Sequence, residues 1–345
     1  VEVLKERPRD QPFFLWFAAI DAHRGWDADD EWDEQNYGPK HTAEGVVVPP
    51  YLVDNLPTRE DLASYYNEVT RFDWYVGQVI AELKKQNELD NTLVMVMADN
   101  GSPFPRFKTR VHDSGMKTAF VTHWPQGIQQ SDSTCNSLLS AIDICPTVLQ
   151  LAGLEVPPQV QGVSFAKLFK DPAEQVRRYA FCEHNWHDYE AHGRAVRDRD
   201  GYLYIRNARP RQAWSGPADS IGSPSQQEIF RAESVGKLTK AQADVLLAPR
   251  PEEELYCTPD DPLQLDNLAK VKDHGAKLLE LIQVMDLWQE LTGDTVPRNL
   301  TPDHYDRHLG YIDVQTGKRI TGGPVWGEAP GVDRGADRIN QPGPR

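Results

Sequence analysis

The stretch that most limits what this chain can become is Leu93-Val94-Met95-Val96-Met97-Ala98-Asp99-Asn100-Gly101. Its unbroken apolar run is too short for a helix of ordinary length and suits a strand buried on both faces, as in an α/β sheet. The run stops at a carboxylate, an amide and a glycine. In open α/β sheets ligands bind beyond the carboxyl ends of strands. Asp99 and Asn100 are therefore candidate oxygen ligands for a hard cation such as Ca²⁺ or Mg²⁺, and Gly101 lets the backbone turn close to it. The same three residues are also a turn signal that merely ends a strand. Both readings stay open on these residues alone.

A second apolar run, Phe13-Phe14-Leu15-Trp16-Phe17-Ala18-Ala19-Ile20, predicts another buried strand, and it too ends in a polar knot, Asp21-Ala22-His23-Arg24. If the two strands lie parallel and adjacent, their polar ends share one rim. Residues 27–34 read as a solvated acidic face, and Trp26 and Trp32 as surface or core aromatics. Between the strands, Thr58 with Glu60-Asp61 predicts a capped helix start. Apolar residues from Leu62 to Leu83 recur at helical spacing to about Lys85. Strand, helix, strand is the pattern of α/β architecture.

After Gly101, Arg106, Lys108, Arg110, His112 and Lys117 fall within twelve residues of a chain whose net charge is −15. Beside a metal pair such a cluster suits a small oxyanion, sulfate or phosphate; taken alone it is a solvated loop. The acidic balance argues against nucleic acid or an anionic membrane as the main partner. No stretch is long and apolar enough for a membrane span, and no signal peptide is visible. The four cysteines lack metal-site spacing and do not decide the redox compartment.

Ala119–Trp124 predicts a strand stopped by Pro125, and Ser140 or Asp143 caps a helix ending at Gly153. From about Tyr179 the texture changes to hairpins. Ala195-Val196-Arg197 and Tyr202-Leu203-Tyr204-Ile205 flank an Asp198–Gly201 turn, Glu254–Cys257 forms a further strand, and Leu278, Ile282, Met285, Trp288 and Leu291 stripe a helix ended by Gly293. Glu183–Tyr189, which carries His184 and His187, reads as a polar-aromatic loop suited to a sugar or to an inter-domain turn. The expected organisation is an α/β domain over 1–175, a smaller α+β domain over 176–293 and an irregular tail over 294–345.

Taken together the motifs resemble the sulfatase family. The resemblance rests on Asp99-Asn100-Gly101 with Lys108 nine positions after Asp99, on Asp113-Ser114-Gly115 followed by Trp124-Pro125, and on Asp21-Ala22-His23-Arg24, similar to D-P-H-R. Ala141–Thr147 is similar to a D-x-x-P-T helix, and Glu254-Leu255-Tyr256 with Asp261-Pro262 and Asn267-Leu268 to the family's closing motif. Pro103-Phe104-Pro105 points to the sulfamidase (heparan N-sulfatase) branch. The resemblance implies an alkaline-phosphatase-like sheet sandwiched by helices, with a smaller C-terminal domain. It implies one Ca²⁺ with Asp99 and Asn100 among its ligands, and a formylglycine nucleophile. Lys108 is expected to hold the sulfate and His23 to contact it or protonate the leaving group. Arg24, His112, His184 and His187 are expected to bind substrate, a sulfated carbohydrate. A periplasmic or secreted location follows from the family alone.

Three positions depart from the family pattern: Ala22 stands for a proline, Arg110 for a threonine and His112 for a tyrosine. The larger departure is that the nucleophile motif C/S-x-P/A-x-R and the Asp-Asp metal pair that precedes it do not occur in the 345 residues. In the family both lie upstream of the strand that here begins at Phe13, so the chain is expected to be the C-terminal part of such an enzyme, with the α/β sheet incomplete at its N-terminus and inactive alone. The expected reaction is hydrolysis of a sulfate ester or an N-sulfate. The alternatives are a phosphodiesterase or phosphatase of the same superfamily, whose two-metal members want histidine where Asn100 stands, and a non-catalytic binder of sulfated glycan.

Overall fold

The computed structural model describes residues 1–26, 32–187, 189–214, 216–296 and 344. In chain order the elements are α1 (Glu2–Glu6), α2 (Glu34–Tyr37), α3 (Leu56–Lys85), β1 (Val94–Met97), α4 (Asp113–Met116), β2 (Phe120–His123) and α5 (Ile144–Leu151). The second half holds β3 (Tyr179–His187), β4 (Tyr189–Asp198), β5 (Tyr202–Asn207), α6 (Ala218–Ile221), α7 (Pro224–Ser234), α8 (Lys240–Ala243), β6 (Glu253–Cys257) and α9 (Gly275–Thr292).

The organising strand forms where its apolar run predicts, but its partner is antiparallel. Val94 pairs with His123 and Met97 with Phe120. Alternation along β1 sorts its neighbours. Val94 packs with Val79, Ile80 and Leu83 of α3, whereas Leu93 and Met95 pack with Phe165 and Phe169 and with Ile144 and Leu151 of α5. The strand pair is thus covered by helix on both faces, although each β1 residue is half-buried rather than fully buried.

The run 13–20 corrects the expectation more sharply. It forms no strand among the described residues. Only Phe13 and Leu15 reach the α3 cluster, while Phe14, Trp16, Phe17 and Ile20 are 69, 77, 53 and 86 % exposed. Among the described residues no strand pairs with this segment, so its strand-like composition finds no ladder to join.

Helix α3 begins earlier than Thr58. Asn55 is the cap, accepting from the Thr58 N–H at 3.3 Å, with Pro57 in the first turn. Before α5, Ser140 and Asp143 close a capping box around a short 3₁₀ turn, and Gly153 ends the segment at φ 71°.

The second sheet is an antiparallel meander in the order β3-β4-β5-β6. Its β4–β5 turn takes Gly201 at φ 95°, as the hairpin signal requires. One face lies under α9 through Val196, Tyr204 and Leu255 against Leu281 and Met285. The other face, through Ala191, Ala195, Leu203 and Ile205, packs on Val111 and Trp214. This second contact matters most for function, because it presses the sheet onto the loop that follows β1.

The stretch expected as a polar-aromatic loop is instead β3 and the start of β4, with a register shift between His184 and Trp186. His184 points inward while Glu183 and Asn185 point out, a two-residue alternation hidden because the buried residue is itself polar. No described helix is long and apolar enough to cross a membrane. The expected tail falls outside the described residues from 297, apart from 344; Asp294, just before, is held by both arms of the Arg194 guanidinium at 2.7 and 2.9 Å.

Candidate functional site

The first piece of the site is the turn after residue 20. The His23 N–H donates to the Ile20 carbonyl at 3.0 Å, and Ala22 sits at φ 73°. A proline ring, fixed near φ −65°, cannot adopt that angle, so the alanine departure and the local conformation go together. Arg24 holds the turn from below. Its Nε donates to the Pro103 carbonyl at 2.7 Å, and Nη1 and Nη2 donate to the two Asp61 oxygens at 2.8 and 3.0 Å. The guanidinium lies over Trp26 and Phe104, 4.4 and 4.8 Å from their centroids. Expected at the substrate, Arg24 is committed to the scaffold, because Nε, Nη1 and Nη2 all donate to it and two aromatic rings pack against the guanidinium. His23 is left outward, 58 % exposed. Its Nδ1 lies 3.0 Å from the Arg24 carbonyl oxygen, which can only accept, so the ring keeps a proton on Nδ1 and turns Nε2 to the site.

The second piece is the loop after β1. The Asp99 carboxylate accepts from the Asn100 N–H at 2.8 Å, and the Asn100 Nδ2 donates to the Gly101 carbonyl at 2.7 Å. Gly101 is required here: its N–H donates to the Gly115 carbonyl at 2.7 Å, and a Cβ would stand 2.0 Å from the Ser114 carbonyl oxygen. The Lys108 N–H returns to the Ser102 carbonyl at 3.1 Å, folding Lys108 back beside the strand end. Arg106 and Thr109 bracket it at φ 68° and 73°, a strained pair of non-glycine residues of the kind found where a loop must aim one side chain.

That aiming divides the basic cluster. Arg106 donates to Asp244 at 2.6 Å and to the Gln264 carbonyl at 2.8 Å. Arg110 donates to the Val245 carbonyl at 2.9 Å; burial, reinforced by Arg250, brings its guanidinium down to about 10. Burial pushes Asp244 upward, but Arg250, Arg106 and Arg110 overcome that and hold it well below the usual carboxylate range. His112, fully buried between Trp214 and Tyr256, is driven well below the ordinary imidazole value by burial and then by Arg106 and Arg250. Expected to bind the oxyanion together, Arg106, Arg110 and His112 instead face the seam with the second sheet.

Lys108 faces the other way. Its Nζ is 3.4 Å from His23 Nε2 and 2.8 Å from Asp219 Oδ2, and Asp219 Oδ2 is 3.5 Å from His23 Nε2. Two residues 85 positions apart in the chain are brought into contact, though not by the pair of parallel strands on which the expected shared rim depended, since 13–20 forms no strand. Asp219 was not anticipated. It follows Gly216-Pro217-Ala218 with no motif around it, and no local signal distinguishes it from any other aspartate in the chain. His184 and His187 lie elsewhere, on β3. His184 is buried with neither ring nitrogen hydrogen-bonded and is lowered to about 3, by burial first and then by His187 and Arg110. His187 is exposed at the hairpin end.

For a hard cation the donor chemistry of Asp99 and Asn100 fits. The Asn100 amide nitrogen is committed to the backbone, so its oxygen is the atom left to offer. Two side chains are fewer than the about six to eight oxygens such an ion takes. Among the described residues no group of three or more His, Cys, Asp and Glu is gathered around one point.

Comparison with known proteins now bears on this geometry. Residues 1–154 match the family described as Sulfatase, and residues 106–215 match the family described as N-sulphoglucosamine sulphohydrolase, C-terminal. Both models are of sulfatase families, and together they match residues 1–215. It is 30 % identical over 325 residues to an ulvan-active sulfatase of Formosa agariphila, covering 84 % of this chain and 53 % of that protein. It is 27 % identical over 319 residues to the N-sulphoglucosamine sulphohydrolase of Homo sapiens, covering 83 % and 62 %. The chain therefore spans a little over half the length of these curated relatives. Among solved structures, a 2-O GAG sulfatase aligns with a TM-score of 0.52 at 20 % identity over 84 % of this chain and 53 % of its own. A structure concerned with glycosaminoglycan metabolism in Bacteroides thetaiotaomicron aligns at 0.57 and 22 % over 80 % and 55 %. These likenesses bear on the fold alone, which is the α/β, alkaline-phosphatase-like fold of the sulfatases.

Proposed function

We propose that this chain is part of an enzyme that hydrolyses sulfate esters or N-sulfates of sulfated sugars. The observation that carries the proposal is the meeting of His23 and Lys108 at 3.4 Å beside the Asp99-Asn100-Gly101 loop. An ammonium and a ring nitrogen side by side suit a group whose oxygens are anionic and whose leaving atom needs a proton. Similarity to sulfatases named for ulvan and for N-sulphoglucosamine supports a sulfated-glycan substrate.

In this reading Lys108 binds the sulfate oxygens in ground and transition state alike. His23, its Nδ1 proton fixed by the Arg24 carbonyl, delivers a second proton from Nε2 to the departing atom. Arg24, through Asp61, Trp26 and Phe104, keeps that ring in register. Asp99 and Asn100 would supply part of the shell of one Ca²⁺, whose contribution is positive charge on the sulfate. The nucleophile, a formylglycine in the family resembled, is drawn from outside these 345 residues. Because polymeric sulfated substrates do not cross membranes, a periplasmic or secreted location belongs to the same reading.

The test is kinetic, on the enzyme that contains this chain together with its nucleophile. Lys108→Ala raises KM and lowers kcat together. His23→Ala lowers kcat with less change in KM, on the order of 10²–10⁴-fold for an alkyl sulfate and much less for an aryl sulfate, whose leaving oxygen needs little protonation. Equal losses on both substrates remove His23 from the acid role. Turnover of phosphate diesters without sulfate release overturns the proposal as a whole.

A further inference from the structure

Of the three groups that meet at the site, only Asp219 carries negative charge. Its Oδ2 is 2.8 Å from the Lys108 Nζ and 3.5 Å from His23 Nε2, in the position where an anion on those cations would sit. Two further features separate it from a supporting carboxylate. A residue that holds a catalytic group in register is normally held in turn by hydrogen bonds of its own. The other Asp219 oxygen, Oδ1, is buried and has no hydrogen-bond partner. Asp219 also stands on a single-turn helix, α6, whose next side chain, Ser220, is likewise buried and unpartnered at its hydroxyl. Lys108 is therefore the one strong partner of a carboxylate that leaves half its acceptor capacity unused at some cost. Nothing else described grips the carboxylate against an incoming anion.

We propose that Asp219 is the built-in occupant of the Lys108–His23 anion site, a carboxylate that a sulfate group must displace in order to bind. The proposal rests on the reading of that pair as the sulfate site. The substrate's sulfate oxygens take the place of Oδ2 on the ammonium, and α6 gives way by the length of one short side chain. The device has two consequences. It keeps Lys108 neutralised and oriented while the site is empty. It also sets a threshold, because a small anion gains little from exchanging one carboxylate contact for another, whereas a sulfate group, with three oxygens sharing its charge, can reach Lys108 and His23 together.

The experiment is calorimetric titration of inorganic sulfate into the enzyme that contains this chain together with its nucleophile, at fixed ionic strength maintained with sodium chloride so that general screening is constant. Asp219→Asn keeps the side chain's shape and removes its charge. It binds sulfate more tightly than the unsubstituted enzyme, on the order of tenfold for the loss of a like charge in contact with the site. Lys108→Ala added to Asp219→Asn abolishes the gain. Asp219→Ala carries the same expectation, so a folding defect in one variant leaves the other to decide. Equal or weaker sulfate binding by the Asp219 variants overturns the proposal and makes Asp219 a support, leaving the anion site standing. Absence of sulfate binding in every form overturns the anion site and this proposal with it.

Discussion

His184 offers the sharpest quantitative test, because two roles proposed for it predict opposite behaviour in acid. As a contact for a sulfated sugar it would gain from carrying charge. The structure holds it neutral: the ring is 8 % exposed, neither nitrogen is hydrogen-bonded, and burial with its cationic neighbours lowers it to about 3. In the unfolded chain the ring titrates near its usual value of about 6.5. Between those two values the unfolded state takes up a proton that the folded state refuses, so stability falls as the pH drops below 6.5 and goes on falling toward 3. By pH 5 the gap is about 1.5 units at about 1.36 kcal/mol each, a loss of about 2 kcal/mol from this one ring. His192, lowered to about 4, and His112, lowered further, act in the same direction, enough to threaten a domain whose whole stability is about 5–15 kcal/mol. Urea unfolding at pH 7 and pH 5 measures the total loss, and repeating both on His184→Met isolates this ring, since methionine cannot titrate. The unsubstituted chain loses about 2 kcal/mol more than the variant over that interval. An equal loss in both, or a His184 ring resonance that titrates near pH 6.5 in the folded chain, refutes the burial argument and returns His184 to the candidate sugar contacts.

Two further perturbations follow from the site. Asp99→Ala weakens Ca²⁺ binding measured by calorimetry, because a hard cation loses its one charged ligand from this loop; unchanged affinity makes Asp99 a turn residue only. Arg24→Ala leaves Asp61 buried without its bidentate partner and costs about 3–5 kcal/mol, visible as a lowered thermal midpoint; an unchanged midpoint contradicts the scaffold role given to Arg24.

Much of the fold was legible because its signals are local. The period of α3, the stripe of α9 with Gly293 at φ 69°, and the Asp198–Gly201 turn each depend on residues within one element. What stayed hidden depends on partners distant in the chain. Composition marks 13–20 as strand-like but cannot supply a neighbouring strand, and β1 gives no sign that its partner is antiparallel. Glu183–Tyr189 misled for a different reason: a buried histidine without hydrogen bonds breaks the rule that polar residues mark loops.

At the site the same division runs along a single loop. Arg106, Lys108 and Arg110 carry equal charge in the sequence, and only the fold separates the two that meet Asp244 and the Val245 carbonyl from the one that meets His23. The family motifs behave alike. Asp143 accepts from the Ser140 and Val163 N–H groups, and the Thr147 hydroxyl accepts from the Phe165 N–H. Glu254 takes Arg250 and Asn207, while Asn267 pins the outer edge of β6, accepting from the Leu255 N–H and donating to the Glu253 carbonyl. Most of what makes the chain similar to the sulfatases is therefore packing that closes these turns, and it bears on the fold rather than on the proposed substrate. Asp219 lies beyond residue 215, where the second family match ends, on a segment with no motif, yet it touches both residues proposed to do the chemistry. Discrimination among sulfated substrates is better sought in such unmarked segments around Lys108 than in the motifs by which the family is known.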